Sequence, residues 1–318
     1  MNKLFALPII LLMGCTSPAS RETNTNEQSR EPIAQSTQRY SIPHFSDTSV
    51  FVKLQALSPI VDKIYHDYAE KNHFPAIAYG IVAGGKLIYS NSVGTANLAN
   101  NTAATSKSLF RIASMSKSFT AMAILKLRDE GKLSLTDPVS KYIPEINKAG
   151  ALTTDAPPIT IQNLLTMSAG FPEDNPWGDR QLDATDEELL NTLAAGISFS
   201  NVPGVTFEYS NLGFALLGKI IGIVSGKPYQ QYITENIMKP IGMNDSKWEY
   251  DDVLGDQLAL GYEWQTDQWV SIPLLHDGAY GAMGGLICSI EDFSKYIALH
   301  LSAWPARNET ETGPVRRS

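Results

Sequence analysis

The sequence predicts an α+β domain: an antiparallel sheet flanked by helices and interrupted by a long, mostly helical insertion. Three observations carry this expectation. A helix-then-hairpin pattern occupies residues 58–93, two strongly apolar helical segments open at residues 119 and 212, and neither βαβ alternation nor a solenoid repeat is present.

The elements follow in order. Ser58-Pro59 offers a cap and a first-turn proline, after which Ile60, Val61, Ile64, Tyr65 and Tyr68 recur at helical spacing. Residues 76–82 are apolar, Gly84-Gly85 is a turn, and residues 86–93 alternate around Leu87 and Tyr89, which together read as a β-hairpin. Residues 119–127 are apolar except for Thr120 and Lys126. A helix apolar around its whole circumference is a buried one, and Gly131 is placed to end it. Thr136-Asp137-Pro138 is expected to open a short helix, and Thr160 to cap the segment carrying Leu164 and Leu165. Thr185 and Glu188 form a capping box ahead of Leu189, Leu190 and Leu193. Residues 212–224 make a second apolar helix, and Ser289 with Asp292 starts a third around Phe293, Tyr296 and Ile297.

Of the 318 residues 43% are apolar and 18% charged, enough for a core that needs no disulfide or metal staple. With 25 basic against 33 acidic residues the net charge is -8, which argues against a nucleic-acid partner. Two cysteines exclude a disulfide scaffold. Residues 1–14 read as a signal peptide, in which Lys3 precedes an apolar run too short to span a bilayer. Leu12-Met13-Gly14-Cys15 resembles the bacterial lipobox, so Cys15 is the expected lipidation site. Residues 15–47 are then a lipidated cysteine and a disordered tether, and residues 48–318 the globular domain. The expected location is the periplasm-facing surface of a bacterial envelope membrane, the outer rather than the inner. Cys288, among Leu286, Ile287 and Ile290, is expected to be a buried, inert thiol.

There is no G-x-S-x-G elbow, no H-E-x-x-H, no Walker loop and no G-x-G-x-x-G, and the five histidines lack metal-ligand spacing. No cofactor and no metal is therefore expected. What remains is Ser114-Met115-Ser116-Lys117 at the head of the buried helix. Positions three apart on a helix face the same way, so hydroxyl and amine converge. The positive end of the helix dipole favours an alkoxide over an ammonium, and a lysine screened from water can accept a proton. The bland reading, a capping serine and a surface lysine, leaves unexplained why a lysine opens the most apolar helix. Tyr209-Ser210-Asn211 precedes the second apolar helix. In an extended segment Tyr209 and Asn211 project to one side. A phenolate stabilised by the lysine can relay the proton, and the amide can donate to a substrate carbonyl. The bland reading here is a core tyrosine and an Asn N-cap.

Together these segments resemble the serine β-lactamase and penicillin-binding-protein superfamily. The nearest branch is the one with class C β-lactamases, D-alanyl-D-alanine carboxypeptidases and related esterases. Phe110-Arg111-Ile112-Ala113-Ser114-Met115-Ser116-Lys117 is similar to its nucleophile segment, and Gly131-Lys132-Leu133-Ser134-Leu135-Thr136-Asp137-Pro138 to the stretch that follows. Leu164-Leu165-Thr166-Met167-Ser168-Ala169-Gly170 resembles the next landmark, with Met167 where a histidine is usual. Tyr209-Ser210-Asn211 matches Y-x-N, and Gly284-Gly285-Leu286 with the residues up to 292 matches a late signature. The resemblance implies a β-lactamase-like fold and a serine hydrolase acting on a small-molecule or peptide substrate with an amide, peptide or ester bond. It implies that Ser114 is acylated, that Lys117 and Tyr209 share general-base work, and that Asn211 orients the substrate amide. The Ser114 N–H would supply half of an oxyanion hole. The alternative is a catalytically impaired homologue that only binds peptidoglycan-like or peptide ligands.

Family members carry a third motif, K-T-G or H-x-G, well after the G-G-L signature. Glu311-Thr312-Gly313 and His276-Asp277-Gly278 each match it only in part or out of order. The family sheet has five antiparallel strands, of which the last three follow the point corresponding to Ser318. The expectation is a chain lacking those C-terminal strands, a truncated form of a longer enzyme. The 171–183 loop, with Trp177, Asp179 and Arg180, is expected to border the site.

Overall fold

The computed structural model describes residues 49–175, 177–303 and 313–316. The expected signal peptide, Cys15 and the tether lie outside the described residues, as do Glu311 and Thr312. Among the described residues no helix is long and apolar enough to cross a membrane.

Helix α1 (Ser49–Ala56) leads into α2 (Ser58–Lys71) through Leu57, whose backbone stays in the helical region. Ser58 is therefore already inside a helix and does not cap it, contrary to expectation. Strands β1 (Ala76–Ala83) and β2 (Lys86–Asn97) form the expected hairpin. Its turn residues Gly84 and Gly85 both have positive φ (56 and 73), as a primed two-residue turn requires. Short β3 (Thr102–Ala103) pairs with β2, giving the order β1-β2-β3. Strand alternation sends neighbouring residues to opposite faces. Tyr79 stacks on Tyr65 of α2 at 4.2 Å, and both Tyr79 and Tyr89 donate to Asp62. On the other face, Gly80 lies over Ile290 of α8 (Ile290–Ala303), so helices cover both faces of the hairpin.

β4 (Phe110–Arg111) pairs antiparallel with β7 (Ile287–Cys288), and α3 (Ser116–Asp129) begins five residues after β4. Phe119, Ala123, Ile124 and Leu127 of α3 are fully buried, and α3 ends as expected at Gly131. Gly131 N–H bonds Arg128 O and Lys132 N–H bonds Leu127 O, the two bonds of a Schellman motif. The segment at Thr136-Asp137-Pro138 forms only a 3₁₀ turn over Val139–Lys141. Asp137 instead accepts from Ser134 N, Lys141 and Tyr142, which leaves nothing to cap a longer helix. The capping boxes at Thr160, on α4 (Ile161–Leu165), and at Thr185, on α5 (Asp186–Ala194), both form.

Helix α6 (Asn211–Ser225) is buried along most of its length and lies against α3, so the two apolar helices share one core with α7 (Tyr229–Ile233). The β5–β6 hairpin (Gly261–Gln265 and Gln268–Ile272) was not foreseen. Its turn is Thr266-Asp267, with both residues at positive φ and no glycine to signal it. Ser289 caps α8 as expected, accepting from Asp292 N at 3.1 Å. The Asp292 carboxylate, fully buried, accepts from Asp245 N, Ser246 N, Ser246 Oγ and Lys295 Nζ. The fold is thus α+β, with antiparallel sheets flanked by helices and a long helical insertion.

Candidate active site

Ser114 stands on a 3₁₀ turn (Ala113–Met115) just ahead of α3, not in the first turn of that helix. The turn is held from behind. β4 pairs with β7, Ile112 N–H bonds Leu286 O at 2.9 Å, and Leu286 N–H bonds the buried Ser116 hydroxyl at 3.1 Å. Ala113 takes a left-handed conformation (φ 49), which disfavours a residue with a Cβ and turns the next side chain outward. Ser114 is accordingly exposed, while Ser116 and Lys117 beside it are buried.

The structure brings Ser114, Lys117, Tyr209 and Asn211 together. Lys117 Nζ lies 3.1 Å from Ser114 Oγ, 2.7 Å from Asn211 Oδ1 and 2.8 Å from Met283 O. The Tyr209 hydroxyl donates to Ser114 Oγ at 2.6 Å, and the Tyr209 ring centroid is 4.8 Å from Lys117 Nζ. Asn211 does not cap its helix. Ser210 does, accepting from Gly213 N at 3.0 Å, and Asn211 is the first helical residue with its side chain fully buried.

Burial pushes the Lys117 ammonium down to about 8, against the opposing pull of Asp179 and Asp174. Burial also raises the Tyr209 phenol above its ordinary value, a shift that the Ser114 hydrogen bond opposes. The expectation of a stabilised phenolate is thereby corrected: burial, with the Asp179, Asp174 and Glu173 carboxylates adding to it, favours the neutral phenol of Tyr209.

The loop between α4 and α5 borders the site: Asp179, which the sequence singled out, pulls on Lys117, and Asp174 and Asn175, which it did not, make the direct contacts. Asp174 accepts from Asn211 N at 2.7 Å and Leu212 N at 2.8 Å, so a carboxylate sits on the N-terminus of α6. Asn175 Oδ1 accepts from Asn211 Nδ2 at 2.9 Å. No local pattern announces these contacts, because they join residues 36 to 38 apart in sequence. Met167, at the position where a histidine is usual, contributes its carbonyl to Glu208 N at 2.8 Å. That bond ties this landmark to the segment carrying Tyr209.

His276 is engaged elsewhere, with Glu249 at 3.0 Å and Tyr250 at 2.9 Å, and Asp277 binds Tyr229 and Gln230. Among the described residues, His276, Asp277 and Gly278 share no hydrogen-bonding partner with Ser114, Lys117, Tyr209 or Asn211. Glu249, Asp251 and His276 present ligand atoms within 4.8 Å of one another, but both ring nitrogens of His276 already have partners. Cys288 is buried as expected, its thiol pushed up to about 12 by burial.

Chemically, the aim of Lys117 matters most. A neutral amine has two N–H bonds and one lone pair. Asn211 Oδ1 and Met283 O only accept, so they take the two N–H groups. The remaining direction points at the Ser114 hydroxyl. The arrangement can therefore draw a proton from Ser114, with a neutral phenol on the same oxygen to supply one elsewhere.

The chain is similar to known proteins in sequence and in fold. The Beta-lactamase family model matches residues 61–317. Protein flp of Staphylococcus aureus (strain MW2) is 34% identical over 210 residues, 64% of this chain and 41% of that protein. Beta-lactamase-like protein 2 of Dictyostelium discoideum is 30% identical over 259 residues, 79% of this chain and 47% of that protein. The octameric penicillin-binding protein homologue from Pyrococcus abyssi superposes with a TM-score of 0.69 at 29% identity, covering 82% of this chain and 58% of that one. The chain spans a little under half the length of these two curated relatives.

Proposed function

The chain belongs to the β-lactamase family, and on that premise we propose that it is a serine hydrolase working through an acyl-serine at Ser114 on amide, peptide or ester substrates. The observation that carries the proposal is the placement of Lys117 Nζ 3.1 Å from Ser114 Oγ with acceptors on its two other sides, so that a neutral amine would turn its lone pair to the Ser114 hydroxyl. As Ser114 Oγ bonds to the substrate carbonyl carbon, its proton passes to Lys117 Nζ and the carbonyl π pair moves onto oxygen. The Ser114 N–H is the donor we assign to that oxygen. When the tetrahedral adduct collapses, Tyr209 gives its proton to the departing nitrogen or oxygen, and the proton on Lys117 restores the phenol. Water then attacks the acyl-serine with the same base, releasing the acid and regenerating Ser114.

A fluorophosphonate probe followed by intact mass tests the proposal. The expected result is one adduct on the wild type, absent in Ser114→Ala. A wild type that takes up no probe but retains affinity for peptidoglycan fragments overturns it in favour of a binding-only homologue. The proposal extends to place. A lipid on Cys15, followed by the 15–47 tether, holds the domain at a bacterial envelope membrane, with the outer one preferred. Detergent-phase partitioning that persists in Cys15→Ala would refute this part.

A further inference from the structure

We infer that Asn175 is a positioning residue for the proposed reaction: its side-chain oxygen holds the Asn211 amide in the one orientation that leaves the Lys117 lone pair on Ser114. The inference rests on the reading of Ser114 as nucleophile and Lys117 as its base. It assigns a role to a loop residue that touches none of the reacting atoms.

The argument begins with an ambiguity inherent in asparagine. Turning its amide over exchanges an acceptor for a donor at almost the same shape, so hydrogen bonds alone choose the orientation. Asn211 has two side-chain partners, Lys117 Nζ on one arm and Asn175 Oδ1 on the other. A neutral Lys117 is indifferent between the two orientations. In the observed one, an amine N–H goes to Asn211 Oδ1 at 2.7 Å, and the lone pair is left for Ser114. In the reversed one, the Asn211 N–H would donate to that lone pair. The amine would be equally well satisfied, its base function would be spent on Asn211, and Ser114 would face an N–H donor.

A neutral Lys117 therefore cannot enforce the orientation on which its own chemistry depends, although the ammonium, which only donates, selects it. Asn175 can. Its Oδ1 accepts from Asn211 Nδ2 at 2.9 Å, so Asn211 cannot turn over by itself without bringing two oxygens face to face. The loop is held where this contact is made. Asp174 grips Asn211 N and Leu212 N, and Asn175 N–H bonds Glu173 Oε1 at 3.0 Å. Gly178 permits the close approach, since a Cβ there would stand 2.5 Å from Asn211 Cβ and 2.7 Å from Asn211 Nδ2.

The test compares fluorophosphonate labelling rates of the full chain for wild type, Asn175→Ala and Asn175→Asp across about pH 6 to 10, with Ser114→Ala as control. Alanine removes the acceptor, so the high-pH plateau should fall by about tenfold or more, part of the general-base contribution. Aspartate presents oxygen on both arms and cannot hold the amide wrongly. Its plateau should stay within about threefold of wild type, with the midpoint moved to higher pH by the added negative charge. A merely structural contact would show neither the rescue nor the opposed shift. An alanine variant with the wild-type plateau, or an aspartate variant as slow as alanine, overturns the inference while Ser114-dependent labelling stands. If alanine fails to fold, the aspartate plateau and midpoint decide alone. Wild-type labelling that is absent, or that survives Ser114→Ala, removes the reading of the site and this inference with it.

Discussion

Replacing Lys117 with methionine isolates the desolvated amine on which the proposed chemistry depends. The side chain is 6% exposed, and burial holds its ammonium at about 8 against an ordinary 10.5. That interval is worth about 3 kcal/mol. Below about pH 8 the folded and unfolded chains both carry the ammonium, so the folded state bears the full desolvation penalty. Between about 8 and 10.5 the folded chain has released the proton and the unfolded chain still binds it, so stability rises with pH. Above that window the penalty is gone. The methionine variant lacks this titration and leaves Asn211 Oδ1 and Met283 O without their donor, an offset of about 1–3 kcal/mol for each that does not vary with pH. The quantity to measure is therefore the difference in unfolding free energy, wild type minus Lys117→Met, from urea titrations at about pH 7, 8.5 and 10.5. It should grow in favour of the wild type by about 2–3 kcal/mol over that span, and Ser114 labelling in the wild type should climb through the same midpoint near 8. A flat difference, or labelling indifferent to pH, would refute the desolvated-base argument.

Asp174→Ala removes both acceptors from the α6 N-terminus and should lower stability by about 1–3 kcal/mol in urea titrations. Because Asp174 also holds the Lys117 ammonium up, the labelling midpoint should move to lower pH in the same variant. Gly218→Ala places a Cβ 2.5 Å from Ala282 Cβ, where α6 meets the turn before β7, and should lower the melting temperature by an amount equivalent to about 1–3 kcal/mol. Ala113→Gly relieves a left-handed alanine beside Ser114 and should raise stability by up to about 1 kcal/mol, measured by thermal melting. Cys288 should resist a thiol reagent at about pH 8 in the folded protein and react on unfolding, because burial holds its thiol at about 12.

Elements whose signals are local were legible, and those decided across the chain were not. Thr160 and Thr185 cap their helices because every partner lies within three residues, and Gly131 ends α3 by the same short-range logic. Ser58 carries an equally good capping signature and fails, because α1 runs straight into α2 and no free N-terminus remains there. The β5–β6 turn was hidden because Thr266 and Asp267 take positive φ without a glycine to mark them. Neighbour charges alone suggested a phenolate at Tyr209, but solvent exclusion, which a sequence does not display, reverses that conclusion.

The same division runs through the site and has a consequence for what its motifs mean. Ser114 and Lys117 meet because three helical steps bring them together, and Tyr209 and Asn211 arrive as one short segment. Those four residues place the proposed base near the proposed nucleophile without deciding which way the base's lone pair points. On the inference drawn above, direction is set by Met283 O, from the turn before β7, and, through the Asn211 amide, by Asn175 from a loop that carries no signature. Proximity is thus written in S-x-x-K and Y-x-N, whereas aim is written 36 residues away from Asn211. On that inference a chain that keeps both motifs intact would lose the chemistry through Asn175 or Gly178 alone, so a motif match without that loop contact is evidence for the fold before it is evidence for catalysis.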